Sequence, residues 1–181
     1  MKMSDIKRTM VEKGIPTEVM GLFIFPETED ETPEEKVAFA AQMDKLLPKK
    51  QILSVMQEQG CCKNEQSELW QKLKGKPIEE RIKILNAMSM NECPRHRLND
   101  DGTLSIFWHF EENGKYRCVC SIINKLHEPQ PVSLTFCGCC SGHAKYHSEN
   151  SLGVKLRLIE TVSSPISSNG EKYCEHLFEI V

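Results

Sequence analysis

Apolar positions in the first half of the chain recur at the spacing of helices. Thr32-Pro33-Glu34-Glu35 supplies an N-cap, a proline at the first helical position and a capping-box glutamate. Val37, Ala38, Ala41, Leu46 and Leu47 follow at roughly helical intervals. Pro48 opens a second helix that turns Ile52, Val55 and Met56 inward, with Gly60 as its expected stop. Two further helices are predicted over about 65–74 and 77–88, separated by Gly75 and Pro77. The acidic stretch Glu27–Glu31 reads as a solvated loop, and Met20–Phe25 fits a strand or part of a helix.

After residue 103 the period changes to two. Thr103–Phe110 and Lys115–Asn124 flank Asn113-Gly114, a strong hairpin signal. Pro131–Cys137 reads as a third strand, 141–151 as a helix ended by Gly153, and Gly153–Val162 and Lys172–Val181 as two more strands. The fold class expected is α+β, with N-terminal helices packed on an antiparallel sheet of about five strands and one helix between strands three and four. The division is a mainly helical part over residues 1–100 and a sheet-and-helix part over 101–181, together one domain.

Composition removes several function classes. The chain has 181 residues and a formal net charge of −3, with no basic stripe, so nothing marks a nucleic-acid surface. No apolar run reaches the length of a membrane span, and the start MKMSDIKRTM lacks the apolar core of a signal peptide, so a cytoplasmic protein is expected. The balance admits a small-molecule ligand and leaves a homo-oligomer open.

Nine cysteines stand out, at 61, 62, 93, 118, 120, 137, 139, 140 and 174. In a reducing compartment a cluster of this kind points to metal or redox chemistry rather than structural disulfides. The hairpin turns fix a register. Pairing about Asn113-Gly114 sets Cys118 opposite His109 and Cys120 opposite Phe107; pairing about Glu128-Pro129 sets Cys120 opposite Cys137 and Cys118 opposite Cys139. Residues i and i+2 share a strand face, so four thiols form a square, while Ile106, Trp108, Phe110, Val119, Ile123, Leu134 and Phe136 form the apolar face. Four thiolates suit zinc or another soft metal, which makes Cys118, Cys120, Cys137 and Cys139 the expected ligands. Cys140, His143 and, one helical turn on, His147 add donors, and Cys61-Cys62 could close over the site. Taken singly, each cysteine is more simply a small core residue, and His109, His143 and His147 surface or hydrogen-bonded core groups; His96 reads as loop.

The stretch Cys118-Val119-Cys120, Cys137-Gly138-Cys139-Cys140-Ser141-Gly142, Leu152-Gly153-Val154 with Ile159-Glu160, and Gly170 with Cys174 and Phe178 resembles an uncharacterised prokaryotic cysteine-rich family. It is more distantly similar to 4-vinyl reductase-type small-ligand domains and to the L-2-amino-thiazoline-4-carboxylic acid hydrolase family. The resemblance covers about residues 55–181. It departs in the spacing around Cys174 and at His143, where the family pattern has an aromatic residue. It implies an α+β small-ligand domain, and the hydrolase likeness implies a nucleophilic or metal-activating Cys139 or Cys140 with Glu160 or His143 as acid–base.

Two functions are therefore expected, beside the plainer reading of a structural or sensor protein whose cysteines merely fill the core. The first is a soluble metal- or small-ligand-binding protein using the cysteine cluster on a hairpin face, with His143 and Lys145 beside the bound group. The alternative is a hydrolase or thiol-dependent oxidoreductase with a reactive cysteine in the Cys137–Cys140 segment. Its catalytic candidates are Cys139, Cys140 and Glu160, with thiol activation from Lys145 or from the start of the 141–151 helix.

Overall fold

The computed structural model describes residues 2–181 apart from 27–29, 61, 62, 65, 92, 129 and 131. The expected lid Cys61-Cys62, the heart of the acidic stretch and the centre of the second turn fall outside the described residues. Six helices come first: α1 (Met3–Glu12), α2 (Thr17–Met20), α3 (Pro33–Leu46), α4 (Lys49–Met56), α5 (Ser67–Leu73) and α6 (Ile78–Ala87). The capping box at α3 forms as its sequence dictates. The Glu35 amide donates to the Thr32 hydroxyl at 3.1 Å, and the Thr32 amide donates to the Glu35 carboxylate at 2.7 Å. Helix α4 follows Pro48 and ends at Met56, four residues before the expected stop at Gly60. Residues Met3, Ile6 and Met10 of α1, spaced by three and four, enter a core with Phe39 and Met43 of α3 and Ile52, Val55 and Met56 of α4.

Four strands form one antiparallel sheet: β1 (Arg95–Leu98), β2 (Leu104–Trp108), β5 (Leu156–Ser163) and β6 (Cys174–Ile180), in the order β1-β2-β6-β5. A separate two-stranded ribbon pairs β3 (Glu111–Glu112) with β4 (Lys115–Tyr116). The class is thus α+β with antiparallel pairing, in a different arrangement from the expected five-stranded sheet. His96, read as loop, lies in β1, and β1 itself precedes residue 100.

Two other differences matter for function. Asn113 and Gly114 take the left-handed backbone a tight hairpin turn needs, with φ of 53° and 74°. The ribbon adopts the expected register, Glu111 opposite Tyr116 and Glu112 opposite Lys115, but ends there. Trp108 is instead opposite Cys174 and Phe107 opposite Arg95 and Glu175, because β2 gains more by pairing on both edges inside the main sheet. Val119, assigned to the apolar face, is 46% exposed once the alternation stops.

The second difference is that residues 134–137 of the expected third strand are the beginning of a long helix, α7 (Leu134–Leu152). The Ser133 hydroxyl caps it by accepting from the Thr135 amide at 3.0 Å. Eleven of its nineteen residues are buried, spread around its circumference, so its first turns have no apolar stripe to betray them in the sequence, whereas its part over 141–151 is the helix expected there. It packs against β5, α3, α4, α5 and α6. Small residues allow this: a side chain at Gly138 would meet Met56, and one at Gly142 would run into the Gln59 carbonyl. Gly153 closes the helix in the left-handed conformation, as its position predicts.

Candidate functional site

The cysteines gather where three chain segments meet. Cys137 and Cys140, three apart on α7, share one face of the helix. Cys174 opens β6. Cys118 and Cys120 come from the irregular segment that leaves β4 and passes the end of α3, where Cys120 packs against a cluster of Val37, Ala40, Val132 and Phe136. Cys137 and Cys174 are 5% and 8% exposed. The Cys140 thiol is hydrogen-bonded to Cys120, that of Cys118 to the Cys120 backbone and that of Cys137 to the Ser164 side chain.

The electrostatics follow from this crowding. Burial pushes the Cys118 thiol up, outweighing the hydrogen bond to the Cys120 backbone that pulls it down. Burial pushes Cys137 up to about 12 despite its bond to Ser164, with Cys118 and Cys120 contributing. Hydrogen bonding to Cys120, then burial and the neighbouring thiols, hold Cys140 well above the usual range. Cys174 is raised by burial and by Cys137, Cys118 and Cys120. Without a compensating cation these groups are thiols rather than thiolates. A pKa near 12 leaves about one part in 10⁵ ionised at neutral pH.

Of the four expected ligands, the structure brings three together: Cys118, Cys120 and Cys137. Cys139 is carried elsewhere. In a helix, unlike a strand, residues two apart point about 200° from one another, and Cys139 is buried among Met43, Val55, Met56 and their neighbours. Cys140 and Cys174 join in their place. The helix spacing of three would have shown Cys140 had the segment read as helical. Cys174 gave no local signal, since its neighbour is set by β2–β6 pairing. Among the described residues, no three His, Cys, Asp or Glu side chains are already disposed to hold a metal ion.

The other candidates lie apart from this cluster. Glu160, on β5, is engaged by Lys49 at 3.3 Å at a cleft lined also by Leu47, Ile52 and Leu158. Lys145 pairs at 3.3 Å with Glu58, which also takes Lys13 at 3.4 Å. Burial works to raise the Glu58 carboxyl, but Lys145 and Lys13 hold it below the ordinary value. His143 lies beside Trp108 and, with His147, lines another cavity. The features expected to activate a cysteine are therefore placed otherwise. Lys145 is committed to Glu58, and α7 begins at Leu134, which puts Cys139 and Cys140 beyond its first turn, where the helix dipole acts.

A cleft of about 590 Å³ opens beside the cluster, lined by Tyr116, Arg117, Cys118, Ile123, Val132 and Ile166 among others. Among the described residues, no helix is long and apolar enough to cross a membrane. Comparison with known protein families, with curated proteins and with solved structures gives no match for this chain.

Proposed function

We propose that this protein binds a soft metal ion, zinc or another thiophilic metal, through Cys118, Cys120, Cys137, Cys140 and Cys174. The observation that carries the reading is the convergence of five thiols from three separate segments, with Cys118, Cys137, Cys140 and Cys174 each pushed above the ordinary thiol range. Protonated thiols are poor nucleophiles and poor partners for disulfide exchange, which proceeds through the thiolate. A metal ion reverses this, because coordination deprotonates the thiol outright. Cys137, Cys140 and Cys174 sit on regular elements, whereas Cys118 and Cys120 do not. Closure around an ion is then a movement of the 117–122 segment onto a fixed triad. The cleft beside Cys118 gives an incoming metal carrier, or a small ligand completing the coordination, a way in.

Elemental analysis of protein purified without oxygen or chelator, with thiols titrated on the same sample, tests this. About one equivalent of metal per chain is expected, with the clustered thiols released only by chelator and denaturant together. Cys137→Ser loses the metal and Cys139→Ala keeps it. No metal in the native protein, and no zinc taken up by the reduced protein, would overturn the reading.

A further inference from the structure

On another part of α7, His143 and His147 stand one helical turn apart, the i, i+4 spacing that places two imidazoles on one helix face. Their ring centroids are 4.4 Å apart with an interplanar angle of 52°. They line a cavity of about 240 Å³ together with Cys93, His96, Asn91 and Ser148. His147 is 8% exposed and His96, on β1, is 3% exposed, its Nε2 at 2.8 Å from the Ser148 hydroxyl. The walls thus offer three imidazoles and neutral oxygens with a single thiol, Cys93, a harder donor set than the sulfur cluster.

We propose that His143 and His147 form a two-nitrogen chelate for a borderline divalent ion such as nickel or zinc, whose remaining positions face this cavity and take water or a small oxygen- or nitrogen-donor molecule. The spacing is the one by which paired histidines on a helix grip zinc. The rings are close enough that one ion can be shared with little side-chain movement, so the ordering cost of the second ligand is low. The cavity holds a small donor molecule beside the ion. This site is independent of the thiol cluster, since none of its lining residues belongs to that cluster.

Trp108 provides the readout, because its ring lies 6.2 Å from His143, and the chain has two tryptophans. In a Trp70→Phe background Trp108 is the only one. Nickel is titrated into the reduced full-length protein, followed by Trp108 quenching and by calorimetry. One equivalent is expected to quench Trp108, with affinity unchanged in Cys137→Ser and at least tenfold weaker in His147→Gln and in the half-buried His143→Gln, whose folding is checked by circular dichroism. Equal affinity in folded His143→Gln or His147→Gln would overturn the proposal. So would loss of quenching in Cys137→Ser alone, which would assign the nickel to the thiols. Quenching that persists in a protein found to hold no metal at its cysteines would refute the thiol reading and leave this one standing.

Discussion

His176 is fully buried in β6, with Nδ1 3.3 Å from the Thr161 hydroxyl and Nε2 without a hydrogen-bond partner among the described residues. Burial lowers its pKa to about 3; burial likewise lowers that of His96 to about 4. The unfolded chain, with ordinary histidines near 6.5, takes up these protons first as pH falls. Stability is therefore whole above about pH 6.5 and is lost progressively down to pH 4 and then 3, at up to about 1.4 kcal/mol per pH unit for each histidine. Urea unfolding at pH 7, 6, 5 and 4 should show this slope, and His176→Leu should remove about half of it. An unchanged slope in the variant would mean that His176 does not titrate on unfolding. Gly142 is a second sensitive position. Its α carbon faces the Gln59 carbonyl so closely that Gly142→Ala, which would otherwise favour the helix, should cost about 2–4 kcal/mol in chemical unfolding through overpacking against backbone. A neutral or stabilising effect would show that the 57–60 segment yields.

At the scale of elements, the features readable in the sequence are those whose chemistry is complete within a few residues. The capping box at Thr32, the Asn113-Gly114 turn and the stop at Gly153 are of this kind. Thr32→Ala should lower stability by about 1 kcal/mol, measured by denaturant midpoint, because it leaves the Glu35 amide unpaired at the start of α3. In helix α7 residues 141–151 were readable as a helix, but the turns before them, from Leu134 to Cys140, were not. Thr135, Phe136 and Cys137 favour strands locally, and burial on every side erased the period that would have corrected the reading. The same difference decides which thiols share the site. Alternation by two joined Cys137 to Cys139, whereas the helix joins Cys137 to Cys140 and turns Cys139 into the α1–α3–α4 core.

For the whole molecule, metal uptake should couple to folding and to protons. An ion held at a hundred times its dissociation constant adds about 2.7 kcal/mol to stability, so zinc should raise the melting temperature and chelator lower it again. Because Cys137 and Cys174 are protonated when metal-free, binding displaces protons, and zinc affinity should climb by at least tenfold per pH unit between pH 6 and 8. A competition titration with a chromophoric chelator across that range measures it. A flat profile would mean that groups other than these thiols hold the ion.

The sequence by itself determined the succession of helices, strands, a helix and two strands, the register of the ribbon at Asn113-Gly114, and the wealth of thiols in the second half. These depend on interactions between near neighbours. Tertiary structure decided which thiols meet. Cys174 reaches the others because β6 is inserted between β2 and β5, a pairing of segments some 70 residues apart that no local pattern encodes. Cys118 and Cys120 reach them because β2 finds better partners than the segment that follows its turn. Cys140 replaces Cys139 because the first half of α7 is packed between the other helices and the sheet, where burial outweighs the local preference for a strand.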